Sequence, residues 1–127
     1  MSLVLADTSV WVEHFRLGVP LFEELLASQR LLGHPLVVGE LACGNLRERE
    51  ATLLLLDELP SAALATAAEV REAIERRRLY GRGVGLVDVH LLVAAMLTHS
   101  ATLWSRDRRL RALASEAGIA FSEDRLH

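Results

Sequence analysis

Four acidic residues, Asp7, Glu40, Asp88 and Asp107, each follow or interrupt a run of apolar residues. A charged carboxylate in such surroundings is costly unless it is paired, caps a helix or binds a metal ion. Taken one at a time, Asp7, Asp88 and Asp107 could each be a helix N-cap. Glu40 falls inside an apolar helical stretch, where capping offers no explanation. The set as a whole therefore predicts a shared site.

Clustered carboxylates repel one another and are tolerated mainly when a hard cation lies between them. Ligands made only of oxygen select magnesium or manganese over zinc. The five histidines do not show the paired spacing of a zinc motif. A magnesium site with open water positions suits hydrolysis of a phosphodiester, because the metal lowers the pKa of bound water and neutralises phosphoryl charge.

The composition is that of a globular protein. Of 127 residues, 51% are hydrophobic and 24% are charged, which predicts a single domain over residues 1–127. The net charge is −3, and all 14 basic residues are Arg, whose planar fork suits phosphate or carboxylate. The one cysteine, Cys43, excludes an intrachain disulfide and is expected to be a small buried hydrophobe. With no signal peptide or membrane span, we expect a cytoplasmic protein.

Short apolar runs alternate with amphipathic helices, which favours a parallel sheet between helices. In such folds ligands lie at the carboxyl ends of strands. Asp7 directly follows the first predicted strand, and Asp107 follows the end of another by two residues. Strands are predicted at Leu3–Ala6, Arg30–Leu32, Ala62–Ala65, Thr102–Ser105 and Ile119–Phe121. Helices are predicted from Val10 towards Gly18, over Leu21–Ser28, Pro35–Gly44, Arg47–Leu59 and Ala67–Tyr80, from Asp88 through Met96, and over Asp107–Ala117.

Four segments resemble, in order, the acidic motifs of PIN-domain ribonucleases, and especially those of VapC toxins from bacterial toxin–antitoxin pairs. The first is Ala6–Val12 (ADTSVWV) and the second is Val38–Gly44 (VGELACG). The third is Leu86–Ala95 (LVDVHLLVAA), and the fourth is Leu103–Leu110 (LWSRDRRL). One such motif would be weak support, but four in register cover nearly the whole chain.

The resemblance implies a three-layer α/β/α domain with a five-stranded parallel sheet. It implies a Mg²⁺- or Mn²⁺-dependent endoribonuclease that forms a homodimer and is neutralised by a VapB-like antitoxin in a hetero-oligomer. Asp7, Glu40, Asp88 and Asp107 take the family's catalytic and metal-binding roles. Asp7 and Asp88 are the expected direct ligands of the metal, while Glu40 and Asp107 bind it directly or through water.

Hydroxyl and guanidinium groups complete the predicted site. Thr8, Ser9 and Ser105 stand beside the first and fourth acids, where they are expected to orient the carboxylates. Thr8 and Ser9 can also serve simply as helix-start residues. Arg82, before Asp88, and Arg106, before Asp107, are the predicted contacts to the RNA backbone.

Two other functions compete with this interpretation. A receiver-like phosphoacceptor domain is also a small α/β fold with an acidic magnesium pocket, but that family relies on a Lys, and this chain contains none. A binding module that keeps only the fold would not need all four acids together with the neighbouring hydroxyls. The nuclease interpretation is therefore preferred, while the RNA, the cleavage site and the number of metal ions stay open.

Overall fold

The computed structural model describes residues 2–123, so the predicted domain limits at residues 1 and 127 lie outside the described range. The described part of the chain contains three strands and seven helices, and each strand is followed by one or more helices. The strands are β1 (Leu3–Ala6), β2 (Leu31–Leu32) and β3 (Ala101–Trp104). The helices are α1 (Thr8–Leu17), α2 (Pro20–Ala27), α3 (Pro35–Ala42), α4 (Arg49–Asp57), α5 (Ala67–Arg76), α6 (Leu86–Leu97) and α7 (Arg108–Glu116).

The three strands form one parallel sheet in the order β2-β1-β3. Strand β1 lies in the centre, with Val4 opposite Leu31 on one side and Ala6 opposite Trp104 on the other. Helices α1 and α2 connect β1 to β2, whereas α3 to α6 connect β2 across β1 to β3. Because such crossovers are almost always right-handed, connections in opposite directions are expected to cover opposite faces of the sheet. The predicted α/β class with a parallel sheet is confirmed.

The prediction of five strands is wrong for the described residues, which contain three. Near the two segments expected to be the other strands there is only a single parallel bridge each. Gly33 pairs with Ser61, one residue before the predicted Ala62–Ala65, and Leu103 pairs with Ala120 inside the predicted Ile119–Phe121. Each bridge has only two backbone hydrogen bonds, for example from Leu103 N to Ile119 O at 2.7 Å and from Phe121 N to Leu103 O at 2.9 Å. Because these segments leave the sheet edge after one residue pair, no ladder forms.

The core is built around the central strand and two aromatic groups. Val4, Leu5 and Ala6 are almost fully buried, as are Trp11 and Trp104. The Trp11 ring meets Phe22 edge-on at 4.6 Å between centroids. This packing holds α1 and α2 against the sheet and so fixes the orientation of Asp7 at the end of β1.

Three details differ from the sequence prediction. Helix α6 begins before Asp88, which is its third residue, and Gly85 is the N-cap. Helix α5 ends at Arg76 instead of continuing to Tyr80. Cys43 is exposed at the end of α3, not buried, since the face of the helix that meets the core carries Val37 and Leu41. Within residues 2–123, no helix combines the length and the apolar character needed to cross a bilayer.

Replacing Leu5 with Ala should destabilise the protein by about 2–5 kcal/mol, because it leaves a cavity beneath the central strand. Leu5 is 0% exposed, whereas Leu64, the control position for a second Leu→Ala change, is 54% exposed. Urea unfolding followed by circular dichroism measures both. A loss at Leu5 no greater than that at Leu64 would contradict the assignment of β1 to the core.

Candidate active site

Asp7 lies at the carboxyl end of the central strand and is only 4% exposed. Its backbone N donates to Trp104 O at 2.9 Å, which continues the pairing of β1 with β3. Its side chain caps α1, with Oδ1 accepting from Val10 N at 3.2 Å and from Ser9 Oγ at 2.5 Å. Oδ2 accepts from Ser105 Oγ at 2.5 Å. Since a carboxylate oxygen offers about two lone pairs, one position on Oδ2 is left for a cation.

Glu40 is brought towards Asp7 by a hydrogen bond between helices. Thr8 Oγ1, in the first turn of α1, donates to Glu40 Oε1 at 2.5 Å. Thr8 thus orients the second acid, while Ser9 and Ser105 orient the first. All three hydroxyls predicted beside the acids contact a carboxylate of the candidate site.

A buried histidine fixes the start of the helix that carries Glu40. His34 is the N-cap of α3, and its Nδ1 accepts from Leu36 N at 3.1 Å. Burial, and secondarily the charge of His90, lower the pKa of His34, which favours the neutral ring that can accept this bond. The sequence analysis gave His34 no role. The signal for it was its position directly before Pro35 at a helix start.

The remaining two acids begin the helices on the other side of the site. Asp107 is the N-cap of α7, with Oδ1 accepting from Leu110 N at 2.9 Å. Its own backbone N donates to Ser105 Oγ at 2.9 Å, so Ser105 contacts both Asp7 and Asp107. Asp88 Oδ2 accepts weakly from Gly85 N at 3.4 Å in the first turn of α6. The capping roles considered for Asp7 and Asp107 are confirmed, and Asp88 has a related role from inside its helix.

The four acids lie within one another's electrostatic field. Burial raises the pKa of Asp88, and the charges of Asp107, Asp7 and Glu40 raise it further, against the opposing effect of the bond from Gly85 N. Each of these charges disfavours ionisation of Asp88, and a cation among the four would reverse that effect. Asp88 is therefore near enough to the other three acids for their charges to affect its ionisation.

The donor chemistry fits a divalent cation, although the side chains do not enclose one. Across residues 2–123, no three carboxylate, imidazole or thiol groups lie close enough together to hold a metal ion directly. Several carboxylate oxygens instead accept hydrogen bonds from helix N–H groups and hydroxyls. Oxygen donors of this kind suit Mg²⁺ or Mn²⁺, which retain water in their coordination shells.

Arg82, predicted as an RNA contact, lies in an exposed ion pair. It donates from Nη1 and Nη2 to the two oxygens of Glu116 on α7, at 3.1 and 2.5 Å. This pair raises the pKa of Arg82 and lowers the pKa of Glu116. Nearby, the side chain of Arg109 packs over Gly83, where a Cβ would approach Arg109 Cδ to 2.8 Å. These contacts hold the glycine loop before Asp88 against α7.

Arg106, the second predicted RNA contact, is the most connected cation near the site. It pairs with Glu13 of α1, with Nη2 at 2.6 Å from Oε1, and with Glu123. Trp104 Nε1 also donates to Glu123, at 3.0 Å. From the sequence, Glu13 is given no role and Glu123 is assigned to a tail. Glu13 carried a signal, since it stands one helical turn after Ser9 on the same face of α1, whereas the return of Glu123 to Trp104 depends on tertiary structure.

Comparisons with known proteins agree with this geometry. Residues 4–116 match the family described as PIN domain. The chain is also similar to Ribonuclease VapC32 of Mycobacterium tuberculosis, from strain CDC 1551 / Oshkosh and from strain H37Rv. In both cases it is 43% identical over 122 residues, which cover 96% of this chain and 98% of the relative. The four acidic motifs all fall inside the matched PIN-domain region.

Asp88→Asn should raise the melting temperature in EDTA at pH 7, by an amount that solvent screening of this partly exposed group keeps small. Because its folded pKa is raised, ionised Asp88 makes stability fall as pH rises from the ordinary Asp range through the raised pKa. The Asn variant should lose that pH dependence. Differential scanning fluorimetry between pH 4 and 8 at about 0.1 M salt, where screening is moderate, measures it.

Glu24→Gln, which neutralises an exposed carboxylate on α2, is the matched control and should change neither quantity appreciably. Addition of Mg²⁺ or Mn²⁺ should stabilise the original protein more than the Asn variant. Lower stability of Asp88→Asn in EDTA than of the original chain would contradict repulsion among the four acids.

Proposed function

The chain belongs to the PIN-domain family and within it to the VapC ribonucleases, and we propose that it is the toxin of a VapBC pair, acting as a divalent-metal-dependent endoribonuclease. We propose further that residues 1–127 work as a single PIN domain. The observation that carries the proposal is the hydrogen-bond network around Asp7, in which Ser105 contacts both Asp7 and Asp107. Thr8, the residue after Asp7, contacts Glu40 in the same network. The charges of the other acids also raise the pKa of Asp88, which supports its inclusion in the site. Identity to a ribonuclease over almost the whole chain supports the RNA substrate.

Asp7 and Asp88 are the proposed direct ligands of Mg²⁺, with Mn²⁺ as a substitute, and Glu40 and Asp107 bind directly or through water. This assignment is supported by the buried Asp7 carboxylate, which keeps an acceptor position on Oδ2 beyond its three hydrogen bonds. A bound divalent cation supplies an activated water for in-line attack and neutralises charge on the phosphoryl oxygens.

The protein's own contribution is orientation. Ser9 and Ser105 donate to opposite oxygens of Asp7, which fixes the plane of the carboxylate. Thr8 donates to Glu40 Oε1 and so holds this exposed side chain beside the first turn of α1. Outer hydrogen bonds of this kind commonly change metal affinity or activity by about 10- to 100-fold. The site needs neither a catalytic histidine nor a lysine.

Arg82 is the proposed contact to the RNA backbone. Its ion pair with Glu116 is exposed, with 37% and 57% of the two side chains accessible. Such surface pairs contribute little net stability, so a phosphate can replace Glu116 as the partner of the guanidinium. Arg82 lies in the glycine loop that leads into α6, whose third residue is Asp88, and this nearness in the chain supports the proposal.

The proposed partners are a VapB-like antitoxin and a second copy of the chain, in a hetero-oligomer that acts in the cytoplasm. Family membership supports both partners. Exposed apolar side chains are also available for protein contacts. Phe15 and Leu17 on α1, together with Leu54 and Leu55 on α4, are exposed in this way.

Asp7→Asn should lower kcat for RNA cleavage by about 100-fold or more, because it removes a charge aimed at the reacting centre. Cleavage of a fluorescent single-stranded RNA, with Mn²⁺ or Mg²⁺ and then with EDTA, measures the effect. Asp57→Asn, an exposed change at the end of α4, is the control. Full activity of Asp7→Asn, or cleavage that persists in EDTA, would contradict the proposed mechanism.

Expression of the chain alone should arrest bacterial growth, and coexpression of the small gene next to it should restore growth. The physical reason is that free toxin degrades RNA, while a bound antitoxin blocks the acidic site. Growth curves with Asp7→Asn as the inactive control measure this. Normal growth despite folded, RNA-cleaving protein in the cell would count against the toxin role.

A further inference from the structure

We infer that Arg106 positions Asp7 through Ser9 and is not an RNA contact. The kinetic consequence of this inference rests on the proposed ribonuclease function. The contacts themselves are properties of the fold and can be tested without any activity. The inference replaces the role in RNA binding that the sequence predicted for Arg106.

All three nitrogen atoms of the Arg106 guanidinium are engaged within the protein. Nε and Nη2 donate to Glu13 Oε1 at 3.0 and 2.6 Å, and Nη1 donates to Glu123. The guanidinium carbon lies 5.7 Å from the centroid of the Trp104 ring, within the range of a cation–π contact. Only 33% of the Arg106 side chain is exposed. The side chain thus joins α1 to the segment that follows the last bridge of the sheet.

The backbone of the same residue leads to the candidate metal site. Arg106 N donates to Ser9 Oγ at 3.0 Å, and Ser9 Oγ donates to Asp7 Oδ1 at 2.5 Å. The Ser9 hydroxyl therefore has its one proton directed at Asp7, because its oxygen accepts from Arg106. Movement of residue 106 would remove this constraint and would also shift Asp107, the next residue in the chain.

The charges around Arg106 argue against a phosphate as its partner. One guanidinium lies between two carboxylates, so the group of Arg106, Glu13 and Glu123 carries a net negative charge. A phosphate would have to displace a partly buried carboxylate and would meet repulsion from the other. The exposed pair of Arg82 with Glu116 lacks this second carboxylate among its hydrogen-bond partners in residues 2–123.

The experiment compares Arg106→Gln, Arg106→Lys and the double variant Glu13→Gln/Glu123→Gln with the original chain. The double variant keeps Arg106 but removes both charged partners, so the two roles predict opposite effects. Positioning predicts weaker catalysis, whereas an RNA contact predicts tighter RNA binding once the competing carboxylates are gone. Arg76→Gln is the matched control, because Arg76 belongs to an exposed pair with Glu72 on α5.

We expect kcat to fall about 10-fold in Arg106→Gln and in the double variant, the lower end of the effect of outer hydrogen bonds. KM and its salt dependence should stay unchanged, and Arg106→Lys should restore part of the activity. Independently, the backbone amide of Arg106 should exchange with solvent about 10-fold faster in the double variant than in the original chain. Arg76→Gln should match the original chain in each measurement.

A higher KM and a weaker salt dependence in Arg106→Gln, with tighter RNA binding in the double variant, would overturn the inference and assign Arg106 to RNA. Values equal to those of Arg76→Gln would also overturn it. If the original chain cleaves no RNA with Mg²⁺ or Mn²⁺, the proposed function fails, and amide exchange still decides the positioning role. Unchanged exchange at residue 106 would then reject it.

Discussion

The Asp7 carboxylate is buried at the end of the central strand, where it must be satisfied by hydrogen bonds or by a counter-ion. Val10 N, Ser9 Oγ and Ser105 Oγ together provide three donors. The first two come from α1 and the third from the residue after β3, so one side chain links two elements of the fold. Loss of one donor would leave part of the cost of burying Asp7 unmet, and this explains why polar groups gather at an otherwise apolar edge.

The other three acids differ in how directly hydrogen bonds link them to Asp7. Ser105 contacts both Asp7 and Asp107, and Thr8, next in the chain to Asp7, contacts Glu40. Asp88 receives only a 3.4 Å bond from its own helix and has its pKa raised by burial and by the other three charges. Hydroxyl groups therefore hold Asp7, Glu40 and Asp107 in place. The ionised form of Asp88, in contrast, is electrostatically unfavourable. This is the state that a divalent cation would relieve, and it is consistent with the PIN-domain family to which the chain belongs.

Much of this arrangement could be predicted from the sequence because it is local. The run Leu3–Ala6 followed by Asp7 specifies a buried strand with a cap, and the structure has both. Asp107 is likewise a cap three residues before Leu110. Asp107 can cap α7 and also belong to the acidic cluster, because the cap uses only one of its two carboxylate oxygens.

The parts that could not be predicted depend mostly on long-range pairing, and in one case on a helix cap without a side chain. The outer two strands are absent from the described sheet because single bridges at Ser61 and Ala120 do not extend into ladders. The start of α6 was misplaced because Gly85, which has no side chain to mark a cap, precedes Asp88 by three residues. The pairing of Arg106 with Glu13 and Glu123 joins segments far apart in the chain. In the sequence alone, an Arg beside an acidic motif is as consistent with RNA binding as with an ion pair inside the protein. Only its contacts in the folded chain distinguish the two roles.

The central claim is that the four carboxylates form one divalent-metal site, and a crystal grown with Mn²⁺ tests it most directly. Anomalous diffraction at the manganese edge should give a peak between Asp7 and Asp88, with metal–oxygen distances of about 2.0–2.4 Å. Glu40 and Asp107 should lie in the same coordination sphere or contact its water molecules. A well-ordered protein in millimolar Mn²⁺ with no peak at these acids, or with its peak at the histidines, would contradict the account.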